Sequence, residues 1–223
     1  PMIHGVVIMD SAETGQPIAL IDATYLTALR TGAASGAATE LLSRPDARAA
    51  AIFGAGAQAR TQLLAVCEAR RIERAWIFDP NSDRVTAFIA EMQPLVGATL
   101  AVAPSSAEAA RDADVICAAT TSPTPVFDGR DLRPGSHIDA VGAFRPETRE
   151  VDTETVRRAR VVVDSYAGAL AEAGDLLIPI QEGAIARTHI AAELAELVTG
   201  TRPGRTSPEE ITLFKSVGFA LED

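Results

Sequence analysis

A glycine-rich turn between a strand and a helix limits the fold of this chain more than any other feature. An apolar run at residues 49–53 leads into Gly54-Ala55-Gly56-Ala57-Gln58-Ala59, and a helical pattern follows over residues 58–70. In a GxGxxA turn the first glycine permits a tight turn, the second lets the backbone approach a pyrophosphate, and the last small residue lets helix and strand pack closely. Exposed N–H groups at the helix start then favour phosphate oxygens. The turn predicts a dinucleotide-binding site at Gly54, Gly56, Ala57 and Gln58.

Strand and helix patterns alternate through the middle of the chain. Aromatic residues make up only 4% of the sequence, so alanine, valine, isoleucine and leucine must fill the core, as is typical of helices on a buried parallel sheet. The alternation predicts an α/β fold with a Rossmann-type, doubly wound parallel sheet. The predicted strands are 49–53, 75–78, 99–103, 115–119, 136–141 and 161–164, and the predicted helices are 58–70, 82–92, 106–111 and 153–158.

The segments on either side of this alternation are less regular. Residues 5–21 carry a hairpin pattern, and a helical pattern over residues 22–42 places apolar side chains at Leu26, Leu29, Ala33, Ala37 and Leu41. Residues 190–197 predict a further helix. Residues 207–210 resemble a capped helix start, whereas 211–214 alternate and are β-branched, so helix and strand are both open there. The chain begins within a strand pattern and ends, at 219–223, within what looks like a first helical turn, so we expect a longer parent protein.

An acidic residue follows the glycine-rich turn at the distance that a dinucleotide site requires. Asp79 stands 20 positions after Ala59, at the end of the second predicted strand. A carboxylate there accepts hydrogen bonds from the adenosine ribose and repels a 2′-phosphate, which favours NAD(H) over NADP(H). Arg84 weakens that preference, because an arginine just beyond this strand can hold a phosphate group. NADP(H) therefore remains the alternative cofactor.

Hydroxyl side chains end the fourth predicted strand. Thr120 and Thr121 lie where ligands bind in open α/β sheets, at the carboxyl ends of the strands. They are candidate contacts to the nicotinamide ribose or the phosphates, and an ordinary loop with local hydrogen bonds is the alternative interpretation. Val141 and Gly142, at the end of the fifth predicted strand, are further candidate cofactor contacts.

Composition restricts the partners and the compartment. The net charge of −10 argues against nucleic acid and anionic membranes, because both favour clustered lysine and arginine. Cys67 and Cys117 lie in apolar runs and predict buried free thiols, without a Cys/His cluster for a metal. His137 lies in a predicted strand and is interpreted as a structural histidine. With no targeting or membrane-spanning pattern in the sequence, we expect a cytoplasmic enzyme that acts on a small molecule.

Four motifs, in order, resemble the ornithine cyclodeaminase/mu-crystallin family. They are Leu26-Thr27-Ala28-Leu29-Arg30-Thr31-Gly32-Ala33, the glycine-rich turn, Glu172-Ala173-Gly174-Asp175, and Leu213-Phe214-Lys215-Ser216-Val217-Gly218. The resemblance implies a two-domain homodimer, with residues 1–44 in part of an α+β substrate and dimerisation domain and residues 45–205 in the NAD(P)-binding domain. It also implies that 206–223 return to the first domain, with 211–214 as a strand.

The resemblance also implies roles for individual residues. Arg30 corresponds to the arginine that holds the substrate carboxylate, which suits the bidentate geometry of a guanidinium. Thr31 and Ser216 correspond to cofactor contacts. Glu172 and Asp175 are compatible with either a cleft or a helix cap, and we leave both interpretations open.

One stretch departs from the cyclodeaminase pattern. Phe144 stands where cyclodeaminases and the alanine dehydrogenase type carry an aspartate, and Thr148 stands where they carry a lysine. A phenyl ring cannot move a proton, whereas reduction of a protonated imine has less need of an acid. We therefore expect an NAD(P)H-dependent reductase of a ketimine or cyclic imino acid, of the pyrroline-2-carboxylate type. The alternatives are an ornithine cyclodeaminase or alanine-dehydrogenase-like enzyme, and a non-catalytic protein that binds cofactor or a small ligand, as mu-crystallin does.

Overall fold

Eight parallel strands form the centre of the structure, a computed structural model that describes residues 5–219. In chain order the elements are β1 (Val6–Asp10), β2 (Pro17–Asp22), α1 (Ala23–Leu42), β3 (Ala49–Phe53), α2 (Ala57–Ala69), β4 (Arg74–Phe78), α3 (Ser82–Met92), β5 (Thr99–Val102), α4 (Ser106–Asp112), β6 (Val115–Ala118), β7 (His137–Ala140), α5 (Thr153–Arg158), β8 (Ala159–Val163), α6 (Tyr166–Glu172), α7 (Gly174–Gln181), β9 (Ile190–Glu193), α8 (Leu194–Val198) and β10 (Ile211–Lys215). The strand order across the large sheet is β5-β4-β3-β6-β7-β10-β8-β9, and a separate antiparallel pair, β1 and β2, precedes it along the chain.

Helices cover both faces of the sheet, which confirms the predicted doubly wound α/β architecture. Side chains alternate along β3, so that Ala51 and Phe53 join an apolar cluster with α4 to α7 while Ala50 and Ile52 join a second cluster with α2 and α3. A third cluster packs α1 and α8 against β8 and β10. Because both faces are buried, the strands are almost continuously apolar, as the composition suggested. No helix within residues 5–219 has the length and apolar character needed to cross a lipid bilayer.

The structure differs from the sequence-based prediction in two segments near the end of the chain. Residues 190–197 were expected to be one helix, but Ile190–Glu193 is the edge strand β9 and only the following turn is helical. The strand alternative at 211–214 is correct. That strand, β10, lies between β7 and β8 in the large sheet, whereas the resemblance implied that it returns to the first domain. The predicted strand start at residues 1–4 and the helical turn at 220–223 lie outside the described residues.

His137 is structural, as its place in the sequence predicted. Its ring is fully buried, and its two nitrogens contact Thr212 Oγ1 at 2.9 Å and Asp139 Oδ1 at 3.2 Å. Cys117 is buried, and burial raises the pKa of its thiol well above the ordinary value. Cys67 is half-buried, and burial raises its pKa to about 11. Both thiols are free, in agreement with the prediction.

Helix α1 approaches α2 closely at the small residues Gly32 and Gly36. Leu29 is 49% exposed, whereas the buried positions of the helix are Ala28, Thr31, Gly32, Ser35, Ala38, Thr39 and Leu42. A Cβ atom added to Gly32 would lie 2.7 Å from Thr61 Cβ and 2.8 Å from the Thr61 carbonyl oxygen. This close contact between α1 and α2 places the first half of α1, which carries Arg30, against the large parallel-sheet domain.

We expect Gly32→Ala to destabilise the protein by about 1–3 kcal/mol, because the added methyl group overpacks a backbone contact that cannot give way cheaply. The matched control is Gly97→Ala, since a Cβ atom at exposed Gly97 would meet no atom within 4 Å. Chemical denaturation monitored by circular dichroism gives both free energies of unfolding. Equal stability of the two variants would contradict the assigned packing of α1 on α2.

Candidate functional site

A cavity of about 880 Å³ opens at the carboxyl ends of β3, β4 and β6. It lies at the place where parallel α/β sheets bind ligands, because the connections from these strands diverge there. Six of the residues predicted from the sequence line it, namely Gly54, Gly56, Asp79, Arg84, Thr120 and Thr121. Several other lining residues were not predicted from the sequence, among them Phe78, Asn81, Pro125 and Val126.

Positions 54 and 56 of the turn are glycines for different structural reasons. Gly54 has φ +99°, and a Cβ atom there would lie 2.6 Å from the carbonyl oxygen of Ala119. Gly54 is therefore required by the fold itself. A Cβ atom on Gly56, in contrast, would meet no atom within 4 Å and would occupy open space. The absence of a side chain at Gly56 keeps space beside the turn open for a ligand.

Helix α2 begins beside this cavity, because its N-cap residue Gly56 lines the cavity. The helix has no side-chain cap and no acidic side chain in its first turn, whereas Asn81 caps α3 through a hydrogen bond to the Arg84 N–H. An uncapped helix N-terminus favours an anion through its free donors and its dipole. Ala57 and Gln58 begin this helix, and the Oε1 atom of Gln58 is buried without a hydrogen-bond partner among the described residues. The turn therefore fits the pyrophosphate of a dinucleotide.

Asp79 lies at the end of β4 and braces the turn. Its Oδ2 atom accepts a hydrogen bond from the Ala55 N–H at 3.2 Å, and its Oδ1 atom accepts one from the Asn81 N–H at 2.9 Å. Asp79 and the exposed Arg84 both line the cavity, so a carboxylate and a guanidinium face the same space. The carboxylate of Asp79 favours a ribose diol and the guanidinium of Arg84 favours a phosphate, as the sequence suggested.

The loops after β6 and β7 are joined by a buried carboxylate that was not predicted from the sequence. Glu150 is fully buried, and its Oε1 atom accepts a hydrogen bond from the Thr120 N–H at 2.5 Å. Its Oε2 atom accepts from the N–H groups of Gly142 at 2.6 Å and Ala143 at 3.0 Å. Burial raises the pKa of Glu150, and the positive charge of Lys215 opposes that rise.

Gly142 must be a glycine because the two loops nearly touch. A Cβ atom there would collide with the Thr120 carbonyl oxygen and with the Glu150 carboxylate. The preceding residue, Val141, donates its N–H to the Ala118 carbonyl oxygen at 2.9 Å, which extends the pairing of β6 and β7. Both predicted residues therefore lie at the carboxyl edge of the sheet, beside the loop that lines the cavity.

The segment after β10 is held at the same edge. Asp164, which directly follows β8, accepts hydrogen bonds at its Oδ2 atom from Ser216 Oγ at 2.9 Å and from the N–H groups of Val217 and Gly218 at 2.7 Å each. The Ser216 N–H donates to the Ala140 carbonyl oxygen at 3.2 Å. Ser216 is buried, so its hydroxyl supports the turn instead of lining the 880 Å³ cavity.

Arg30 lies against this segment. A Cβ atom on Gly218, which has φ +78°, would lie 2.6 Å from Arg30 Nη1 and 2.8 Å from Nη2. The guanidinium therefore packs on the backbone of Gly218, and the structure brings the first and last of the four motifs together at the carboxyl edge of the sheet. Thr31 is buried in the helix, where its hydroxyl donates to the Thr27 carbonyl oxygen at 2.7 Å and its carbonyl oxygen accepts from Gln62 Nε2 at 3.3 Å.

A second group of buried charges lies behind the loops. Lys215 and Asp175 are fully buried, with Lys215 Nζ 2.9 Å from Asp175 Oδ2. Asp175 Oδ1 also accepts from the N–H groups of Glu150 at 2.6 Å and Val151 at 3.0 Å. Asp175 therefore belongs to the interior behind the site, while Glu172 of the same motif is exposed.

Some of these missed residues carried a signal in the sequence. Lys215 is the only lysine in the sequence, and it follows an apolar strand. Asp164 likewise ends an apolar strand, which is where parallel sheets place polar site residues. Glu150 carried no such signal, because it lies in a loop among other polar residues.

The stretch that departs from the cyclodeaminase pattern lies at the surface. Phe144 is 46% exposed, and the guanidinium carbon of Arg145 lies 5.8 Å from the centre of its ring. Thr148 closes the following turn, with its N–H donating to the Arg145 carbonyl oxygen at 3.1 Å. Gly174 lies beneath this turn, so close that an added Cβ atom would clash with the carbonyl oxygens of Thr148, Arg145 and Pro146.

Comparison with known proteins identifies relatives along the full length of the chain. The family model described as the ornithine cyclodeaminase/mu-crystallin family matches residues 1–223. A Delta(1)-pyrroline-2-carboxylate reductase of Bacillus cereus is 41% identical over 222 residues, which cover 99% of this chain and 68% of the relative.

Two solved structures share the fold closely. The Delta(1)-pyrroline-2-carboxylate reductase of Thermococcus litoralis, in complex with NADH and L-proline, has a TM-score of 0.96 and 47% identity, covering 98% of this chain and 68% of that one. An archaeal alanine dehydrogenase dimer with bound NAD has a TM-score of 0.92 and 35% identity, covering 100% of this chain and 68% of that one.

Proposed function

The chain belongs to the ornithine cyclodeaminase/mu-crystallin family, and we propose that the protein is an NADH-dependent reductase of a cyclic imino acid of the pyrroline-2-carboxylate type. The observation that carries this proposal is the meeting of two features at one edge of the sheet. These are a turn shaped for a dinucleotide at Gly54–Gly56 and a guanidinium, Arg30, held against Gly218. Relatives that match over nearly the whole chain are pyrroline-2-carboxylate reductases, one of them in complex with NADH and L-proline, which supports the proposal.

The residues of the cavity would hold the dinucleotide in one orientation. The free N–H groups at the start of α2 would bind the pyrophosphate, and Asp79 would accept hydrogen bonds from the adenosine ribose. Thr120, Thr121, Val141 and Gly142 lie farther along the same edge, where the nicotinamide half would be held. When bound, NADH supplies the hydride that reduces the imine carbon.

Arg30 would bind the carboxylate of the substrate through paired N–H donors. Holding the substrate by its carboxylate fixes the imine carbon relative to the cofactor-binding loops, and this positioning is the main catalytic contribution that we assign to the chain. A protonated imine already carries the positive charge that favours addition, so the reaction needs no acid at position 144. The aromatic side chain of Phe144 is compatible with this chemistry and not with deamination of ornithine, which needs a proton-transferring group.

We further propose that residues 1–44 are part of a substrate and dimerisation domain of a homodimer, and that residues 45–205, together with strand β10, form the cofactor domain. Several side chains of β1, β2 and the start of α1 are apolar and exposed, among them Val6, Ile8, Ile18, Leu20 and Tyr25. A two-stranded sheet with exposed apolar side chains needs a partner for independent stability. Free thiols suit a reducing compartment, so we place the protein in the cytoplasm.

The protein is expected to oxidise NADH when pyrroline-2-carboxylate is added and to form one proline for each NADH consumed. Arg30→Lys should raise the KM for the imino acid about 10- to 100-fold while leaving the Kd for NADH unchanged, because lysine keeps the charge but loses the paired donors. NADH absorbance and chromatography of proline follow the reaction. Ammonia and proline formed from ornithine with NAD⁺ would instead indicate a cyclodeaminase, and tight NADH binding without either reaction would indicate a binding protein.

Substitutions of the two glycines should separate folding from cofactor binding. Gly56→Ala is expected to leave the free energy of unfolding unchanged and to weaken NADH binding about tenfold or more, since the new methyl group enters the ligand space. Gly54→Ala should lower the free energy of unfolding by about 1–3 kcal/mol, because it combines positive φ with a clash at Ala119. Calorimetry and denaturation measure the two effects. Unaltered NADH affinity of Gly56→Ala would place the pyrophosphate elsewhere.

Asp79→Asn should shift the cofactor preference toward NADPH. The neutral amide no longer repels a 2′-phosphate and is a weaker acceptor for ribose, while Arg84 remains in place to hold the phosphate. We expect the ratio of kcat/KM for NADPH to kcat/KM for NADH to rise about tenfold, which corresponds to roughly 1.4 kcal/mol. Arg84→Gln in the same background should reverse the gain, and an unchanged ratio would show that Asp79 does not face the adenosine ribose.

A further inference from the structure

Three ionisable side chains are completely buried behind the cofactor-binding loops. Glu150, Asp175 and Lys215 each have 0% exposure, and none of them lines the 880 Å³ cavity. Removing such groups from water is costly, and apolar replacements of similar size are often at least as stable. A cluster of this kind therefore calls for a reason other than stability.

The ammonium group of Lys215 lies among three oxygen atoms and donates hydrogen bonds to two of them. It donates to the carbonyl oxygens of Ala140 at 3.2 Å and Ala143 at 2.5 Å, and it lies 2.9 Å from Asp175 Oδ2. Lys215 is the only lysine in a sequence whose other basic side chains, histidine aside, are all arginine. A planar guanidinium with five donors could not match three converging oxygens at this position.

Glu150 fixes two loops at once. Its carboxylate accepts from Thr120, in the loop after β6, and from Gly142 and Ala143, in the loop after β7. Its own N–H is held by Asp175, so the loop carrying Glu150 is fixed from behind. The three charged side chains therefore form one connected set that determines where the loops stand relative to each other.

The same set reaches the segment that supports Arg30. Lys215 ends β10, and the next three residues form the turn that Asp164 holds through Ser216, Val217 and Gly218. Gly218 lies directly against the Arg30 guanidinium. Displacement of Lys215 would therefore move both the Ala143 loop and the surface on which Arg30 rests.

We propose that Glu150, Asp175 and Lys215 are positioning residues, which together set the distance between the nicotinamide-side loops and the Arg30 guanidinium. This inference rests on the proposed function, because the distance matters only if a hydride passes between a cofactor and a substrate held at these two places. The cluster touches neither ligand and acts through the backbone of Thr120, Gly142, Ala143 and Gly218. Hydride transfer is sensitive to such distances, so a small displacement has a large effect on rate.

Lys215→Met and Glu150→Gln test the proposal in the complete protein. In Lys215→Met the side chain keeps most of its length but loses the charge and the N–H donors of the ammonium group. In Glu150→Gln the amide nitrogen cannot accept a hydrogen bond, so it faces the N–H donor of Thr120 or Gly142 without forming one. We expect kcat for imine reduction to fall about 10- to 100-fold, while the Kd for NADH changes less than about threefold, because the Gly54–Gly56 turn is unaltered. The primary deuterium isotope effect with NADH labelled at the transferred hydrogen should rise as hydride transfer becomes rate-limiting.

Asp114→Asn is the matched control. Asp114 is also buried and binds two backbone N–H groups, those of Arg48 and Ala49, but it precedes β6 and so lies at the opposite end of the sheet from the site. This variant should unfold at lower denaturant concentration and keep both kcat and the isotope effect. Lys215→Arg is expected to behave like Lys215→Met, since it restores the charge without the geometry.

Hydrogen exchange gives a measurement that is independent of turnover. Amides in segments 118–124 and 140–146 should exchange faster in Lys215→Met and Glu150→Gln than in wild type, and should be unchanged in Asp114→Asn. If wild type reduces no imine but this exchange pattern holds, the proposed reaction fails, and only the structural part of the inference, that the cluster fixes the two loops, stands. A folded Lys215→Met or Glu150→Gln variant with wild-type kcat and exchange, or a kcat loss matched by Asp114→Asn, overturns the inference.

Discussion

The parallel pairing of β10 with β7 and β8 is the constraint on which the site depends. Its pairing with β7 joins residues 75 positions apart in sequence, and the register places Lys215 beside Ala140 at the carboxyl edge of the sheet. The contacts of Lys215, Ser216 and Gly218 follow from that register, because Lys215 ends the strand and the other two residues lie shortly after it. A shift of one residue would turn these side chains to the other face.

At three places a glycine lets one segment of the chain approach another closely. Gly32 brings α1 onto α2, Gly142 brings the loop after β7 onto the loop after β6, and Gly218 brings the last turn onto Arg30. At each of these points the chain loses the apolar contact that a side chain would supply. At Gly142 and Gly218 the buried carboxylates of Glu150 and Asp164 supply directional hydrogen bonds instead, which define positions more sharply than apolar packing does.

The sequence predicted the regular parts of this arrangement well. The strand and turn at residues 49–59, the alternation that follows and the interior place of His137 all depend on local patterns, and the structure agrees with them. The edge strand β9 was mistaken for a helix because its alanine-rich residues have weak strand preference and tertiary pairing decided the outcome. The place of β10 in the large sheet depended on a long-range pairing, which no local pattern encodes.

The candidate site was only partly predictable, because some of its residues also depend on contacts between segments that are distant in sequence. Asp79 faces the cavity and was located by its spacing from the glycine-rich turn, and Thr120 was located by its place at the end of a predicted strand. Their functional roles remain proposals. Glu150 and Asp175 act through backbone groups of residues that are distant in sequence. The insertion of β10 has a final consequence for biosynthesis, since a nascent chain emerges from the ribosome amino end first. Until residues 211–215 have been synthesised, β7 and β8 lack their common neighbour, and each has an unpaired edge. Chaperone binding at this stage would protect these edges from pairing with other chains.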